Sequence, residues 1–494
     1  MSLVKVDIPD GVTRQGTIYQ VGARWWDSNL TRVYLGNRQP IGAWSSRLSA
    51  TLTGVPRALI TWRDNSNVRF FAVGTHSKLY ACTPSRTTMV DITPAGFTAG
   101  RADAVAAGGY GSGTYGSSTY GDPRTDTSTI QPASVWCLDT FGQYLVGCMA
   151  GDGNLYEWAL DISTPTAAAV IAGAPTGCLG LVVTPESFLV ALGSGGDVRT
   201  VAWCDQGNET VWTPSSTNQA GSYQLQTQGA LVCGKRTRSQ TLLFTDTDLH
   251  LMHYIGLPYV YSIDRVAENC GIIAVNAAGA VDSRCYWMSQ TGFYVWDGQS
   301  ATEMPCDVFD AVYGNLNTTQ RSKVSCRVNS QNSEVIWMYP SASSTENDSR
   351  VRYNYLEDKW YLDHDLDRTC GADRGVYNNP LECDSTGHVY DSETGAAWPD
   401  TPYLESGPLE DGNGDTITRV SRIIFDEGTQ GDVQVTVYAR DWNNDSETTY
   451  GPYAAPNPVS CRIAGRQLRM KVEFLAAGTF GTMRFEVPAG GSKR

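Results

Sequence analysis

The stretch Ser134–Leu160, SVWCLDTFGQYLVGCMAGDGNLYEWAL, decides the fold class of this chain. It opens with an apolar run, passes through polar turns and closes on a Gly-containing turn that precedes the apolar-aromatic pair Leu155-Tyr156. Short apolar runs separated by turn residues are typical of antiparallel strands. The stretch therefore predicts strands of one small β-sheet.

The same unit recurs between about Arg57 and Gly395, which gives seven units of roughly 30 to 45 residues. One copy carries the pair Leu79-Tyr80, and another carries the run Tyr294–Gly298. Short strands at this period predict an all-β fold, a β-propeller of about seven four-stranded blades. A single blade cannot bury both of its faces, so the blades must stack in a ring. An array of two-sheet sandwiches is the structural alternative.

Three segments follow from these patterns. Residues 1–43 mix strand-like runs with turns, and we expect this N-terminal segment to close the ring and to take part in docking. Residues 44–400 form the propeller, in which residues 101–133 are an inserted arm. The two prolines of Trp398–Pro402 mark the next boundary. Residues 401–494 show longer alternating strands and predict a separate C-terminal antiparallel β-sandwich.

The inserted arm contains the sequence GGYGSGTYGSSTYGDPR, Gly108–Arg124, in which Tyr110, Tyr115 and Tyr120 recur every five residues. The glycines leave its backbone free, and only the tyrosines carry apolar mass. Tyr buries a large area at a low cost in conformational entropy, which favours it in interfaces. The three tyrosines are therefore candidate intersubunit contacts, and a surface loop without a partner is the alternative.

Charge is unevenly distributed along the chain. The net charge is −14, while residues 1–60 carry +4, residues 451–494 carry +5 and the residues between them carry −23. A protein that wraps nucleic acid is basic along its contact face, so this acidic body is expected to repel DNA rather than bind it. The basic ends suit docking to acidic neighbours. Arg466, Arg469 and Lys471, in the alternating strand near the C-terminus, are the candidate docking residues.

Composition also bears on the compartment. No apolar run reaches the roughly 18 residues that a membrane span needs, and Met1–Asp10 lacks the apolar core of a signal peptide. The 13 cysteines are scattered without closely spaced pairs. This pattern predicts buried, reduced thiols in a protein that folds in a cytosol, rather than disulfides or a zinc site.

We expect no catalytic, cofactor or metal site. The GxSxG, Walker A and HExxH motifs do not occur in the sequence. His250 and His253 would lie on opposite faces of a strand and could not share a metal, and the other three histidines are expected in solvated turns. Asp363, Asp365 and Asp367 are interpreted as turn residues, because the sequence alone cannot place the carboxylate pair of a glycosidase.

Three features, taken in order, resemble the tail hub or nozzle proteins of short-tailed bacteriophages, also described as packaged-DNA stabilisation proteins. The first is the Gly/Tyr arm between two blade-like units. The second is an opening segment with Arg24–Asp27 and Gly42–Trp44. The third is the ending GRQLRMKVEFLAAGTFGTMRFEVPAGGSKR, residues 465–494. These motifs are compositional rather than catalytic, and the resemblance is spread over most of the chain.

The resemblance implies a structural, non-enzymatic virion protein that is made in the host cytoplasm and assembled into the tail. In that family several copies, typically six, form a tube below the portal-adaptor ring. The tube conducts DNA during ejection without sequence-specific binding, is closed by a needle or plug, and carries tailspikes or tail fibres. A tail-associated propeller that binds or cleaves glycans is the main alternative. A cellular WD-type scaffold is disfavoured, because only the single dipeptide Trp296-Asp297 has that form.

Overall fold

The structure, a computed structural model, describes residues 2–83, 89–109, 124–162, 166–410, 414 and 416–488. In these residues nearly all regular structure is antiparallel β-sheet. The helices found there are short: α1 (Ile18–Val21), α2 (Phe309–Tyr313), and the 3₁₀ helices Ser194–Gly196 and Thr318–Lys323. The prediction of an all-β fold is therefore confirmed.

Residues 2–46 supply five strands, and an antiparallel sheet and a paired stem follow them. The five are β1 (Ser2–Val6), β2 (Trp25–Asn29), β3 (Thr31–Tyr34), β4 (Asn37–Pro40) and β5 (Trp44–Ser46). The first four-stranded sheet consists of β6 (Pro56–Arg63), β7 (Arg69–Thr75), β8 (Leu79–Cys82) and β9 (Val90–Asp91). The stem consists of β10 (Val105–Gly109) and β11 (Arg124–Gln131).

Four more four-stranded sheets follow, each built from consecutive strands. The second has β12 (Trp136–Phe141), β13 (Tyr144–Met149), β14 (Leu155–Trp158) and β15 (Ala169–Val170). The third has β16 (Gly180–Val183), β17 (Leu189–Leu192), β18 (Thr200–Trp203) and β19 (Gly221–Gln224). The fourth has β20 (Leu231–Arg236), β21 (Thr241–Thr245), β22 (Leu249–Gly256) and β23 (Val260–Ala267). The fifth has β24 (Ala278–Val281), β25 (Arg284–Met288), β26 (Phe293–Trp296) and β27 (Ala301–Glu303).

The sixth and seventh sheets complete this series. The sixth has β28 (Ser325–Asn329), β29 (Glu334–Pro340), β30 (Asn347–Asn354) and β31 (Lys359–Asp363). The seventh has β32 (Cys370–Ala372), β33 (Leu381–Cys383) and β34 (Val389–Ser392), and its fourth strand is β5, which directly follows residues 1–43. The first strand of each sheet contacts the first strand of the next, and β32 contacts β6. The sheets are therefore arranged as in a β-propeller.

A turn closed by a threonine hydroxyl recurs in two of the sheets. In the first sheet the Thr75 hydroxyl accepts hydrogen bonds from the backbone N–H groups of Ser77 and Lys78, at 3.3 and 2.9 Å. In the fourth sheet the Thr245 hydroxyl accepts in the same way from Thr247 and Asp248, at 3.2 and 2.7 Å. A hydroxyl at this position satisfies turn amides that no strand can pair.

Close approach of the inner strands requires glycine at some positions. A Cβ atom on Gly234 in β20 would lie 2.5 Å from Cγ1 of Val182 in β16. A Cβ atom on Gly279 in β24 would lie 2.9 Å from Sγ of Cys326 in β28. Glycine at these positions lets neighbouring sheets come into contact around the axis.

The remaining strands join β1 and β2 in two further sheets of four and six strands, which we name the C-terminal sheets. These remaining strands are β35 (Tyr403–Ser406), β36 (Leu409–Glu410), β37 (Thr418–Phe425), β38 (Gln430–Arg440), β39 (Thr448–Ala454), β40 (Val459–Gly465), β41 (Gln467–Thr479) and β42 (Met483–Val487). One sheet has the order β1-β42-β37-β40, and the other has the order β2-β35-β41-β38-β39 with β36 beside β41. Two strands of the N-terminal segment, β1 and β2, thus pair with strands of the predicted C-terminal domain, residues 401–494.

The C-terminal sheets share a hydrophobic core with the sheets of the ring. Alternate residues of β41, such as Met470 and Val472, are buried, as the alternating pattern predicts. The Trp25 ring of β2 is buried and lies 6.5 Å from the Phe480 ring in an edge-to-face contact. This continuity fixes the N-terminal segment between the ring and the C-terminal sheets.

Candidate functional site

The inserted arm starts from a paired stem. β10 and β11 run antiparallel from the pair Val105↔Gln131 to the pair Gly109↔Arg124, with an irregularity after Ala106. Tyr110, Tyr115 and Tyr120 lie outside the described residues. The structure therefore shows how the two ends of the Gly/Tyr segment are held together at its root, which the sequence could not predict because the stem lacks an alternating apolar pattern.

The root of the stem is fastened to a part of the ring that is distant in sequence. The Ala104 N–H donates to Gln320 Oε1 at 2.9 Å, and the Gln320 amide donates back to the Ala104 carbonyl at 3.2 Å. On the other side the Ala133 N–H donates to the Ser322 hydroxyl at 3.2 Å. Gln320 and Ser322 belong to the 3₁₀ helix before the sixth sheet, whereas the stem lies between the first and second sheets. Both ends of the arm are therefore tied to the same short helix.

Ion pairs of two buried cations, Lys323 and Arg57, reinforce this attachment. The fully buried Lys323 ammonium lies 2.5 Å from Asp103 Oδ1 and 3.0 Å from Glu346 Oε1. Arg57 donates to both oxygens of Glu346, at 2.5 and 2.8 Å, and to the Ala102 carbonyl at 2.8 Å. Because a buried charge is costly without a partner, these contacts give the stem root a single defined position.

The centre of the ring is narrow, and the Asn276 side chain reaches across it. Residues of all seven first strands line a central cavity of about 370 Å³. The Asn276 side chain donates there to the carbonyl oxygens of Arg57 and Trp136, both at 3.2 Å. A second cavity, of about 690 Å³, lies beneath the stem root between Pro132 and Ile272. Asn276, which directly precedes the fifth sheet, therefore links that sheet with the first and second around the axis.

A cluster of buried charges joins the N-terminal segment to the sixth and seventh sheets. We name it the charge cluster, and its members are Arg32, Arg327, Glu334, Arg350, Arg352, Asp363, Glu382 and Glu393. Arg32 donates to Glu334 at 3.1 Å and to Glu393 at 2.9 Å. Because each guanidinium has a carboxylate partner, the cluster holds β3 against the seam between two sheets.

The charge cluster shifts the ionisation of its carboxylates. Burial alone would raise the pKa of Glu393, but the charge and hydrogen bonds of Arg32 outweigh it and lower this pKa to about 2. Burial would raise the pKa of Asp363 in the same way, but the charges of Arg352 and Arg350 lower it well below its usual range. Asp363 is thus a buried residue at the end of β31, and the interpretation of it as a turn residue is corrected. The sequence feature that could have indicated a buried carboxylate is the pair Arg350 and Arg352, two residues apart in one strand.

The five histidines differ in their exposure and in their partners. His250 is buried and His253 is exposed in β22, in agreement with their predicted placement on opposite faces. His364 Nε2 lies 2.9 Å from Asp27 Oδ1, so the expectation of a solvated turn is wrong for this residue. His76 Nδ1 accepts from the Val55 N–H at 3.0 Å and is also held in place. His388 lies 3.2 Å from Asp384 in a partly exposed turn.

The candidate docking residues of the C-terminal sheets have partners within the chain. Arg469 donates to Glu447 at 2.6 Å and also pairs with Glu405. Lys471 Nζ lies 2.9 Å from Glu473 Oε1 and 4.4 Å from the centre of the Tyr403 ring. The basic charge of this strand is therefore largely compensated within the chain, by Glu473 of the same strand and by Glu405 and Glu447 beside it.

Arg466 lies outside the alternating strand. It occupies the turn between β40 and β41, where its N–H donates to the Arg440 carbonyl at 3.1 Å. Its guanidinium lies 4.7 Å from the centre of the exposed Trp442 ring. Arg466 and Trp442 thus form one amphipathic surface feature at the end of the C-terminal sheets.

The described part of the chain contains no metal-ligating cluster, no membrane-spanning helix and no disulfide. No group of three or more His, Cys, Asp or Glu side chains there could hold a metal ion. No helix there is long and apolar enough to cross a membrane. Twelve of the 13 cysteines are buried, Cys306 is half-buried, and none forms a disulfide, which agrees with the prediction of reduced thiols.

Comparisons with known proteins give weak likenesses only. No family model matches the chain, and no curated protein matches it. Among solved structures, the Pan2 WD40 domain of Neurospora crassa is 8% identical with a TM-score of 0.38, over 70% of this chain and 94% of that one. The N-terminal domain of Nup159 is 12% identical with a TM-score of 0.36, over 72% and 94%. A catalytically inactive variant of virginiamycin B lyase from Staphylococcus aureus is 7% identical with a TM-score of 0.33, over 55% and 90%.

Proposed function

We propose that this chain is a structural subunit of the tail hub or nozzle of a short-tailed bacteriophage. In this proposal the seven four-stranded sheets of the ring are the blades of one propeller, and the C-terminal sheets form a sandwich. Several copies, about six by the resemblance, assemble into a ring below the portal-adaptor. The ring conducts DNA, attaches tailspikes or fibres, and is closed by a needle or plug in the virion.

The observation that carries the proposal is the anchoring of the arm. Two-sided hydrogen bonds to Gln320 and Ser322, with the buried ammonium of Lys323, fix its root to the helix before the sixth sheet. A scaffold that uses buried charges to position a Gly/Tyr segment is suited to presenting that segment to another protein.

Charge and channel geometry support the same proposal. The middle of the chain carries −23, so a wall made of these subunits would repel phosphate and let DNA slide. Asn276 links strands across the narrow centre of a single ring of sheets. A DNA conduit would therefore have to be enclosed by several copies, which agrees with a multimeric hub.

The oligomeric state tests this proposal. We expect mass photometry and negative-stain electron microscopy of the purified chain, alone or with an adaptor ring, to show closed rings of about six copies. We expect no release of sugars from host polysaccharide. A monomer or trimer that binds or cleaves the host glycan would overturn the hub proposal in favour of the glycan-active alternative.

A further inference from the structure

The central channel of the ring is divided into two cavities. Val275, in the segment before β24, borders both the cavity beneath the stem root and the central cavity of about 370 Å³. The first of these is bordered by residues that precede the first strands, such as Ala133 and Leu179. The second follows the first strands to the exposed Arg236 at the end of β20. It is therefore a cup that opens on the face opposite the stem, and we name it the axial cup.

The wall of the axial cup consists of strand edges that pair on one side only. Each first strand stands at the end of the strand order of its sheet. The Cys326 N–H donates away from its own sheet to the Asn276 carbonyl at 2.7 Å, so this edge of β28 faces the axis. Val328, two residues further on, presents its N–H to the same side, because the groups alternate along an antiparallel strand. Backbone N–H groups at the edge of a sheet form concavities that suit anions.

Lys235 extends into the axial cup without a partner. It lines the cavity from β20, and its ammonium forms no ion pair or hydrogen bond with any residue that the structure describes. Burial raises the pKa of Cys137 to about 11 and that of Cys285 to about 12, and the positive charge of Lys235 acts to lower both. Cys137 belongs to the second sheet and Cys285 to the fifth, so the ammonium lies between different sheets, close to the axis.

The carboxylates of the axial cup are satisfied by other groups of the chain. Asp139 accepts hydrogen bonds from two backbone N–H groups, at 2.8 and 2.9 Å. Asp373 accepts from two others, at 2.8 and 3.2 Å. Neither carboxylate pairs with Lys235, so the acidic groups of the cup leave its ammonium available to a ligand.

Two arginines add further donors. Arg236 lies 4.0 Å from Asp139, which is an ion pair without a hydrogen bond. Arg327, which also lines the cavity, directs Nε and Nη2 to Glu382 at 2.6 and 2.5 Å. Its buried Nη1 has no hydrogen-bond partner among the described residues, and a buried N–H without an acceptor is costly. The cup is thus lined by three cations that keep unused N–H donors.

We propose that the axial cup binds a small oxyanion, a carboxylate or phosphate compound, at the Lys235 ammonium. The ammonium supplies a charge-assisted hydrogen bond, and edge N–H groups such as that of Val328 supply others. A volume of about 370 Å³ is that of a small-molecule site. The net charge of −14 selects a small ligand over an anionic polymer, because a polymer would also meet the acidic body around the cup.

Calorimetric titration of the dispersed full chain tests the site. At constant ionic strength, inorganic phosphate or citrate should bind saturably, with one anion per chain. Lys235→Met removes a charge-assisted hydrogen bond and should raise the Kd about 10-fold or more, whereas Lys235→Arg should retain binding. Lys78→Met is the matched control, because Lys78 pairs with Asp91 in the outermost strand of the first sheet. Circular dichroism verifies the fold of each variant.

The two anions distinguish the ligand classes. Tighter binding of phosphate would assign a phosphate compound to the axial cup, and tighter binding of citrate would assign a polycarboxylate. Either result supports the site, provided that Lys235→Met weakens it. The absence of saturable binding of both anions to the folded wild type, or a Kd that is equal in Lys235→Met, would overturn the proposal.

Anomalous scattering tests the location of the site. A crystal soaked in selenate should place selenate oxygens within hydrogen-bond distance of Lys235 Nζ, about 2.7 to 3.2 Å. Selenate bound only at other places would overturn the assignment to the axial cup. This measurement uses the wild type and does not depend on the folding of any variant.

The outcomes separate this inference from the hub proposal, on which it does not depend. The titration uses dispersed chains and requires no ring. Closed rings of a chain that binds neither anion would overturn the inference and leave the hub proposal intact. Saturable, Lys235-dependent binding by a chain that forms no ring would support the inference and contradict the hub.

Discussion

Arg352 lies diagonally across from Asp363 on neighbouring strands of the sixth sheet, and its guanidinium donates to both carboxylate oxygens of Asp363. Nε lies 2.9 Å from Oδ2 and Nη2 lies 2.9 Å from Oδ1, with both side chains buried. The same carboxylate also accepts from Arg350 Nε at 3.1 Å and from the Leu30 N–H at 2.8 Å. One side chain thus connects two strands of the sheet with the N-terminal segment.

Asp363→Asn should destabilise the protein strongly. The substitution leaves the charges of Arg350 and Arg352 without their shared partner in a buried site, and loss of one member of a buried pair costs about 3 to 5 kcal/mol. Asp365→Asn is the matched control, because Asp365 is exposed two residues further along. Urea unfolding measures both free energies of unfolding. A loss below about 0.5 kcal/mol for Asp363→Asn would contradict a stabilising role for the charge cluster.

Stability should fall in acid below about pH 4.5, near the ordinary pKa of a Glu side chain. The pKa of Glu393 is lowered to about 2 in the folded protein, so between these values the unfolded chain binds more protons than the folded one. Stability therefore rises with pH across this window and is lost as pH falls through it. Glu393→Gln should flatten this slope in urea titrations between about pH 5 and pH 3. An unchanged slope would show that other carboxylates dominate.

Deletion of Gly109–Gly121 should leave the monomer folded and impair assembly. The contacts that fasten the root, from Asp103 to Lys323 and from Ala104 to Gln320, lie outside the deleted segment. The melting temperature measures folding, and mass photometry measures ring formation. Unfolding of the variant would show instead that the arm belongs to the core, and normal rings would remove its tyrosines from the interface.

Arg469→Glu and Lys471→Glu should separate stability from docking. Arg469 lies between Glu405 and Glu447, so charge reversal there places three carboxylates together and should cost about 1 to 3 kcal/mol. Lys471 is more exposed, and its reversal should cost less than about 1 kcal/mol. If Lys471→Glu weakens binding to an adaptor ring while its unfolding curve matches the wild type, docking is supported. Unchanged binding would remove this strand from the docking surface.

Much of the fold is predictable from the sequence because its signals are local. Apolar runs and hydroxyl-led turns such as the one at Thr75 recur along the ring, and they indicate four-stranded sheets without knowledge of distant contacts. Pairing over long separations leaves no such signal. A ring-closing strand was expected within residues 1–43, whereas the strand that pairs with Ser392 begins just after them at Trp44, and nothing near Ser2 indicates its partner Val487.

Partnered charges were equally hard to predict. Arg469 and Lys471 have the composition of a basic surface, and only the neighbouring side chains show that Glu405 and Glu473 compensate them. The exposed turn at the end of β22 and β23 was also not predicted from the sequence, because Ile255 and Leu257 continue an ordinary alternating strand. Their exposure follows from the length of β22 and β23 relative to β21, which depends on register rather than on composition.

The placement of β5 in the seventh sheet has a consequence for synthesis on the ribosome. Ser46 pairs with Tyr390, so this strand stays without its neighbour until translation has passed through almost the whole ring. At roughly 5 to 20 residues per second, that delay is on the order of 20 to 70 s. During it the nascent chain displays unpaired strand edges, and such edges are prone to pair with other chains.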